Sequence, residues 1–143
     1  MAERLRASRA QRLLIVDVPV AALAAVGIGA TVGAWMRWGL GIAMNAWWPH
    51  LPLGTLAANL VGGYLIGIAI AVFRSTSSIA PEWRLLIVTG FLGGLTTFST
   101  FSAESVQLME SGRIGWAILH SGAHLAGSIV LTILGIVTVR IWL

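Results

Sequence analysis

Long apolar stretches alternate along the chain with short breaks of proline, serine and charge. Positions 18 to 36, between Asp17 and Arg37, carry no formal charge, and the next charge after Arg37 is Arg74. That second stretch is too long for one helix. It is divided at Trp47-Trp48-Pro49-His50-Leu51-Pro52, where two prolines stop a helix and two tryptophans suit a membrane interface. Positions 85 to 103, between Arg84 and Glu104, and 114 to 139, between Arg113 and Arg140, form the third and fourth uncharged runs. Each run is close to the ~20 residues a helix needs to cross a hydrocarbon core. The pattern predicts an all-α integral membrane protein with four spans, at approximately 17–46, 52–73, 82–110 and 113–142. A single four-span domain over 13–143 then follows a basic tail at 1–12, and the short connections make the helices neighbours.

Composition agrees with this reading. Of 143 residues, 57% are hydrophobic and 10% charged, against about a quarter charged in a soluble domain. The mean hydropathy of +0.89 leaves too few polar residues to coat a soluble bundle. The basic balance comes from nine arginines and no lysine, four of them at 4, 6, 9 and 12, so it marks a tail and no nucleic-acid groove. With no cysteine there is no disulfide framework and no thiolate site. Arginines followed by an apolar run and Ala22-Leu23-Ala24 also imitate a secretory signal, but Asp17 and Pro19 break its core. The side bearing the termini carries Arg4, Arg6, Arg9, Arg12, Arg74, Arg84 and Arg140, and the other side Arg113. This bias favours termini inside.

The information lies in what a bilayer would reject. Arg37 costs roughly 2.5–3.5 kcal/mol near a helix centre unless it reaches headgroups or faces a wet cavity, where it would be a fixed charge at an anion entrance. Thr55, Asn59, Gly63 and Gly67 recur at steps of four on one face of the second span. The two glycines suit close helix packing, whereas a buried Asn59 amide needs partners, an anion or another helix. In the fourth span His120, His124, Ser128 and Thr132 repeat the step of four. His at i and i+4 is a metal-ligand spacing, but no third ligand stands in that segment, and a polar stripe along an ion-filled groove accounts for all four.

The third span reads Gly90-Phe91-Leu92-Gly93-Gly94-Leu95-Thr96-Thr97-Phe98-Ser99-Thr100-Phe101-Ser102-Ala103-Glu104. A glycine pair followed by two threonines weakens the helix in mid-span, where freed backbone must line a cavity or bind something. The half-helix before the break would offer carbonyls to a cation, and the one after it N–H groups to an anion. Phe98 and Phe101 share a face among Thr97, Ser99, Thr100 and Ser102. They serve either as ordinary packing or as positive ring edges touching a small anion.

These residues resemble the Fluc (CrcB) fluoride channels of bacterial inner membranes. The resemblance covers nearly everything from Gly27 to Arg140. It rests on Gly-Ala-Trp-Met-Arg-Trp around Arg37, on the run from Gly54 to Gly67, and on the run from Thr89 to Glu104. It implies a passive channel built from an antiparallel, dual-topology homodimer, with a structural sodium ion at the interface. By matching, sodium would be held by the backbone carbonyls of Gly93 and Thr96 in both subunits. The fluoride path would include Phe98, Phe101, Asn59, Thr55, Ser99, Thr100, Glu104, Ser128, His120 and Arg37. Glu104 beside an anion route is unfavourable unless protonated or relaying a proton or hydrogen bond; otherwise it is a solvated residue at a helix end. The implied partners are fluoride, sodium, a second copy and the lipid bilayer, with no nucleic acid. No nucleotide motif is present either.

Two features depart from the family. His120 and His124 stand where its members carry Tyr or Ser, and a titratable pair there would make flux depend on pH. The arginine bias also conflicts with insertion in both orientations. The competing reading is a small proton-coupled four-span multidrug-type exporter, which would place a carboxylate in the first span where Arg37 stands. A subunit without transport leaves the polar stripes unexplained. An intramembrane hydrolase lacks a buried Asp to support a Ser-His pair.

Overall fold

The computed structural model describes residues 19–48, 51–76 and 78–142, and the basic tail at 1–12 lies outside them. Helix α1 covers Val20–Met44 and runs into a 3-10 turn at Asn45–Trp47. Helix α2 covers Leu53–Ser75, entered through Pro52. Residues 81–95 form α3, which starts with Pro81 in its first turn, winds as a π-helix over Leu85–Leu92 and returns to α over Gly93–Leu95. Helix α4 covers Phe98–Glu110, and α5 covers Ile114–Trp142. Four spans long and apolar enough to cross a membrane result, Val20–Trp47, Leu53–Ser75, Pro81–Glu110 and Ile114–Trp142. The first and third extend beyond the uncharged runs 18–36 and 85–103, so that Arg37 and Glu104 lie inside spans. This is a multi-pass membrane protein.

The distribution of residue types is inverted relative to a soluble bundle. Large apolar side chains such as Trp35, Trp38, Ile118 and Ile141 are exposed, as a lipid-facing surface requires. The interior is mostly small or polar, with Ala25, Ala58, Ala69 and Ala117 buried beside Thr55, Ser105, His120 and His124, and with Leu92, Leu95 and Leu108 as its large apolar members. Because lipid tails are as apolar as leucine, such helices associate by close packing and interhelical hydrogen bonds. The most extensive contact is between α2 and α5, and the next between α1 and the π-helical part of α3.

Glycine makes both contacts possible. Gly67 of α2 rests on the backbone of Thr132 and Gly135 in α5, and a Cβ there would collide with the Thr132 carbonyl. Thr132 ties the same pair of helices, its Oγ1 donating to the Gly63 carbonyl at 2.9 Å. Gly94 of α3 faces the backbone of Ala30 in α1 in the same way. The third span is interrupted at the two threonines that follow its glycine pair. Gly93 and Gly94 are helical, and the extended residues are Thr96 (φ −83°, ψ 156°) and Thr97 (φ −150°, ψ 121°). Gly94 serves close approach, and the β-branched threonines, at home in extended backbone, carry the interruption.

Candidate functional site

The interruption is held open by side chains that capture backbone groups. In an unbroken helix the Thr97 N–H would bond to the Gly93 carbonyl, four residues earlier. Here it donates to Asn59 Oδ1 at 2.8 Å, while Asn59 Nδ2 donates to the Thr97 carbonyl at 3.0 Å. One amide on α2 thus clasps both backbone groups of one residue. Thr97 also caps α4: its Oγ1 accepts from the Thr100 N–H at 3.1 Å, the group that would otherwise close onto the Thr96 carbonyl. The two captures leave the carbonyls of Gly93 and Thr96 without their helical donors. Oxygen atoms of this kind suit a hard cation. Between them, the Gly94 carbonyl accepts from Arg37 Nε at 3.0 Å. The arginine of the first span therefore serves the interruption of the third, with no need to reach headgroups.

Directly after the interruption, Phe98 and Phe101 stand edge to face, with ring centroids 5.4 Å apart and planes at 62°. Phe98 is 79% exposed. Phe101 stacks on His120 (5.4 Å, 21°) and lies 4.8 Å from the His124 ring. Both histidines are buried. A groove of about 470 Å³ brings together Asn59, Thr96, Thr97, Phe98, Phe101, His124 and Ser128, with Gly93 at its wall. A second cavity, of about 520 Å³, lies at the other side of Thr97 and is lined by Arg37, Asn45, Thr55 and Thr100.

Glu104 is a held residue and not a solvated helix end. Its Oε1 accepts from Thr55 Oγ1 at 2.7 Å, and its Oε2 lies 3.3 Å from His120 Nε2. The other ring nitrogen of His120 is 3.0 Å from Ser105 Oγ. Glu104 also supplies what the fourth span lacked, a third potential ligand: one ligand atom each from Glu104, His120 and His124 lie within 4.8 Å of one another.

Of the residues singled out in the sequence, the structure brings Asn59, Phe98, Phe101 and Ser128 to one groove, and Thr55, Thr100 and Arg37 to the next cavity. Glu104 and His120 connect to the latter through Thr55. Ser99 is exposed on the first turn of α4, with its Oγ 3.3 Å from Thr97 Oγ1. Sequence reasoning placed Thr97 in the weak segment beside Phe98 but did not foresee its role, which is exerted mostly through its backbone. It also missed Asn45, whose Oδ1 accepts from the N–H groups of Gly54 (2.7 Å) and Thr55 (3.3 Å) and so fixes the start of α2. The one available signal for Thr97 was its place as a hydroxyl residue immediately before a helix start.

Residues 24–136 match the model of a family described as CrcB-like protein, Camphor Resistance (CrcB). A relative from Pseudomonas putida (strain W619) is 59% identical over 116 residues, covering 81% of this chain and 91% of its own. One from Cupriavidus pinatubonensis (strain JMP 134 / LMG 1197) is 60% identical over 117 residues, covering 82% and 93%. One from Nitrosospira multiformis (strain ATCC 25196 / NCIMB 11849 / C 71) is 59% identical over 122 residues, covering 85% and 94%. All three are named fluoride-specific ion channel FluC.

Proposed function

The chain belongs to the CrcB-like family, and from that premise we propose that it is a passive, fluoride-selective channel of the bacterial inner membrane. Hydrogen fluoride crosses membranes as a neutral acid and dissociates in the less acidic cytoplasm. A pore that passes the anion alone lets the trapped fluoride leave and protects the cell. The observation that carries this reading is the edge-to-face pair Phe98 and Phe101 placed directly after the Asn59–Thr97 clasp. Ring edges are positive, so the pair offers a weakly solvated anion contact without a fixed cation that would hold the ion too long. Ser99, Thr100 and Ser128 supply hydroxyls along the route, while Thr55, Asn59 and His120 shape it through their bonds to Glu104, Thr97 and Ser105. Arg37 supplies positive charge near its mouth. Glu104 is compatible with an anion path because Thr55 and His120 occupy its oxygens.

The functional unit is an antiparallel homodimer. Supporting this, the groove face carries the exposed ring of Phe98 together with Gly93, Leu125 and Ile129, a surface that a second copy would cover. Sodium would be held by the Gly93 and Thr96 carbonyls of both copies. Bound there, it would supply a fixed positive charge at the interface. A proton-coupled exporter needs a membrane-embedded carboxylate in the first span, where Arg37 bonds to Gly94 instead.

Liposomes loaded with potassium fluoride, treated with valinomycin and followed with a fluoride electrode test the activity. The expected result is fast fluoride release with no chloride release from parallel vesicles. Silent vesicles containing verified dimers would overturn the channel reading. Sodium is tested apart from flux. Replacing it throughout by N-methyl-D-glucamine is expected to lower the thermal unfolding midpoint of the dimer, since an ion at 100 times its dissociation constant stabilises by about 2.7 kcal/mol. An identical midpoint in both cations would remove sodium from the assignment.

A further inference from the structure

We propose that the Nε2–H of His124 is a hydrogen-bond donor to the permeating anion, fixed in that form by Asn59. The identity of the anion rests on the fluoride-channel reading; the donor assignment does not. It follows from an inventory of protons. The Asn59 amide faces the Thr97 N–H with Oδ1 (2.8 Å) and the Thr97 carbonyl with Nδ2 (3.0 Å). A backbone N–H only donates and a carbonyl only accepts, so the amide has one possible orientation. Its second N–H lies 2.9 Å from His124 Nδ1. Nδ1 must therefore offer its lone pair, and a neutral imidazole that accepts at Nδ1 carries its proton on Nε2. A charged ring would set a second N–H against the Asn59 donor.

That Nε2–H is buried and, among the described residues, has no hydrogen-bond partner. A buried donor left unmatched is costly, and natural structures rarely keep one without an occupant. His124 itself is 4% exposed and lines the groove with Asn59, Phe98, Phe101 and Ser128. The titratable and charged groups around it are few. Glu104 and His120 face each other at 3.3 Å, and Arg37 is directed to the Gly94 carbonyl.

The spacing of Glu104, His120 and His124 would also admit a divalent transition metal. The hydrogen bonds oppose it. A metal takes the lone pair of one ring nitrogen, and the other nitrogen then gives its N–H to an acceptor. At His124 the nitrogen facing Asn59 meets a donor, which leaves an N–H and not a lone pair for the occupant. The site is built for an anion.

The full-length chain labelled with 15N-histidine and reconstituted in nanodiscs tests this by NMR, with His124→Gln to assign the resonance. The expected spectrum shows His124 as the Nε2–H tautomer, with a resonance that moves saturably on adding sodium fluoride and stays fixed on adding sodium chloride. An Nδ1–H tautomer would overturn the proposal. So would an Nε2–H unmoved by fluoride, which would make water the occupant. Stoichiometric loss of the Nε2–H on adding zinc would overturn it in favour of a metal site. In fluoride release, His124→Leu removes the donor at similar volume and is expected to lose about tenfold or more, roughly the worth of one hydrogen bond to an ion. His124→Gln keeps an N–H and is expected to retain much more. Equal rates in His124→Leu and the unaltered protein would overturn the proposal. Failure of the unaltered protein to release fluoride would sink the channel reading, while the tautomer and the fluoride shift still decide the donor.

Discussion

Replacing Asn59 by aspartate is expected to reduce fluoride release by about a hundredfold or more, although the two side chains have the same shape. Asn59 makes three hydrogen bonds, two to Thr97 and one to His124. Aspartate keeps the bond it accepts from the Thr97 N–H and loses the one it donated to the Thr97 carbonyl, which its second oxygen would repel. That oxygen would also draw the His124 proton to Nδ1, which takes the Nε2–H out of the groove, and its charge would stand on an anion route. Alanine is expected to act differently. It leaves the Thr97 N–H, its carbonyl and His124 Nδ1 unmatched, at about 1–3 kcal/mol for each buried group. The cheapest repair is for the Thr97 N–H to turn back onto the Gly93 carbonyl. That repair restores a helical turn and removes both the freed carbonyl and the aromatic pair's position. Fluoride efflux and the thermal midpoint, measured on both variants, separate the two effects. Aspartate should lose flux with a modest loss of stability, and alanine should lose both. Near-normal efflux from either variant would show that the clasp does not shape the path.

The same clasp shows where sequence reading reached and where it stopped. The four spans were legible because a charge in hydrocarbon is expensive, so Arg74, Arg84, Arg113 and Arg140 stand near their ends, and because the prolines at 49 and 52 divide the first two. The stripes through Asn59 and through His120 were legible for a related reason: polar groups at steps of four fall on one helical face. What each stripe faces was not legible. That Asn59 bonds to Thr97, or Arg37 to the Gly94 carbonyl, depends on the rotation of one helix against another across sequence separations of 38 and 57 residues. The weakness was read from the glycine pair and the two threonines after it, and the threonines carry the interruption. In the structure Gly94 packs against α1, and capture of backbone groups by Asn59 and by the Thr97 hydroxyl fixes the extended residues. Such captures leave no trace in hydropathy. The spacing of His120 and His124 suggested a metal and offered no third ligand; Glu104 completes the geometry from another helix. Only the bonding partner at Nδ1 distinguishes a metal ligand from an anion donor.

Substituting Gly67 by valine is expected to abolish recovery of folded protein, while Gly27→Val leaves it close to normal. Both glycines lie inside long helices, so intrinsic helix propensity favours either substitution over glycine by a few tenths of a kcal/mol. Their surroundings differ. A Cβ at Gly27 meets nothing within 4 Å, whereas one at Gly67 would collide with the Thr132 carbonyl, which is backbone and cannot rotate away. Relief requires α2 and α5 to separate along the most extensive contact in the molecule. In lipid no hydrophobic gain compensates the lost packing, and the hydrogen bond from Thr132 to the Gly63 carbonyl is pulled apart with it. Overpacking of a soluble core costs typically 1–3 kcal/mol when side chains can adjust, and here the obstacle is main chain on both sides. The functional consequence is indirect but severe. His124 and Ser128 ride on α5 and Asn59 on α2, so separating these helices also opens the 2.9 Å contact between Asn59 and His124. Detergent-extracted yield and monodispersity on size exclusion measure the outcome. A folded Gly67→Val protein that releases fluoride normally would mean that α2 and α5 do not need the close approach seen here.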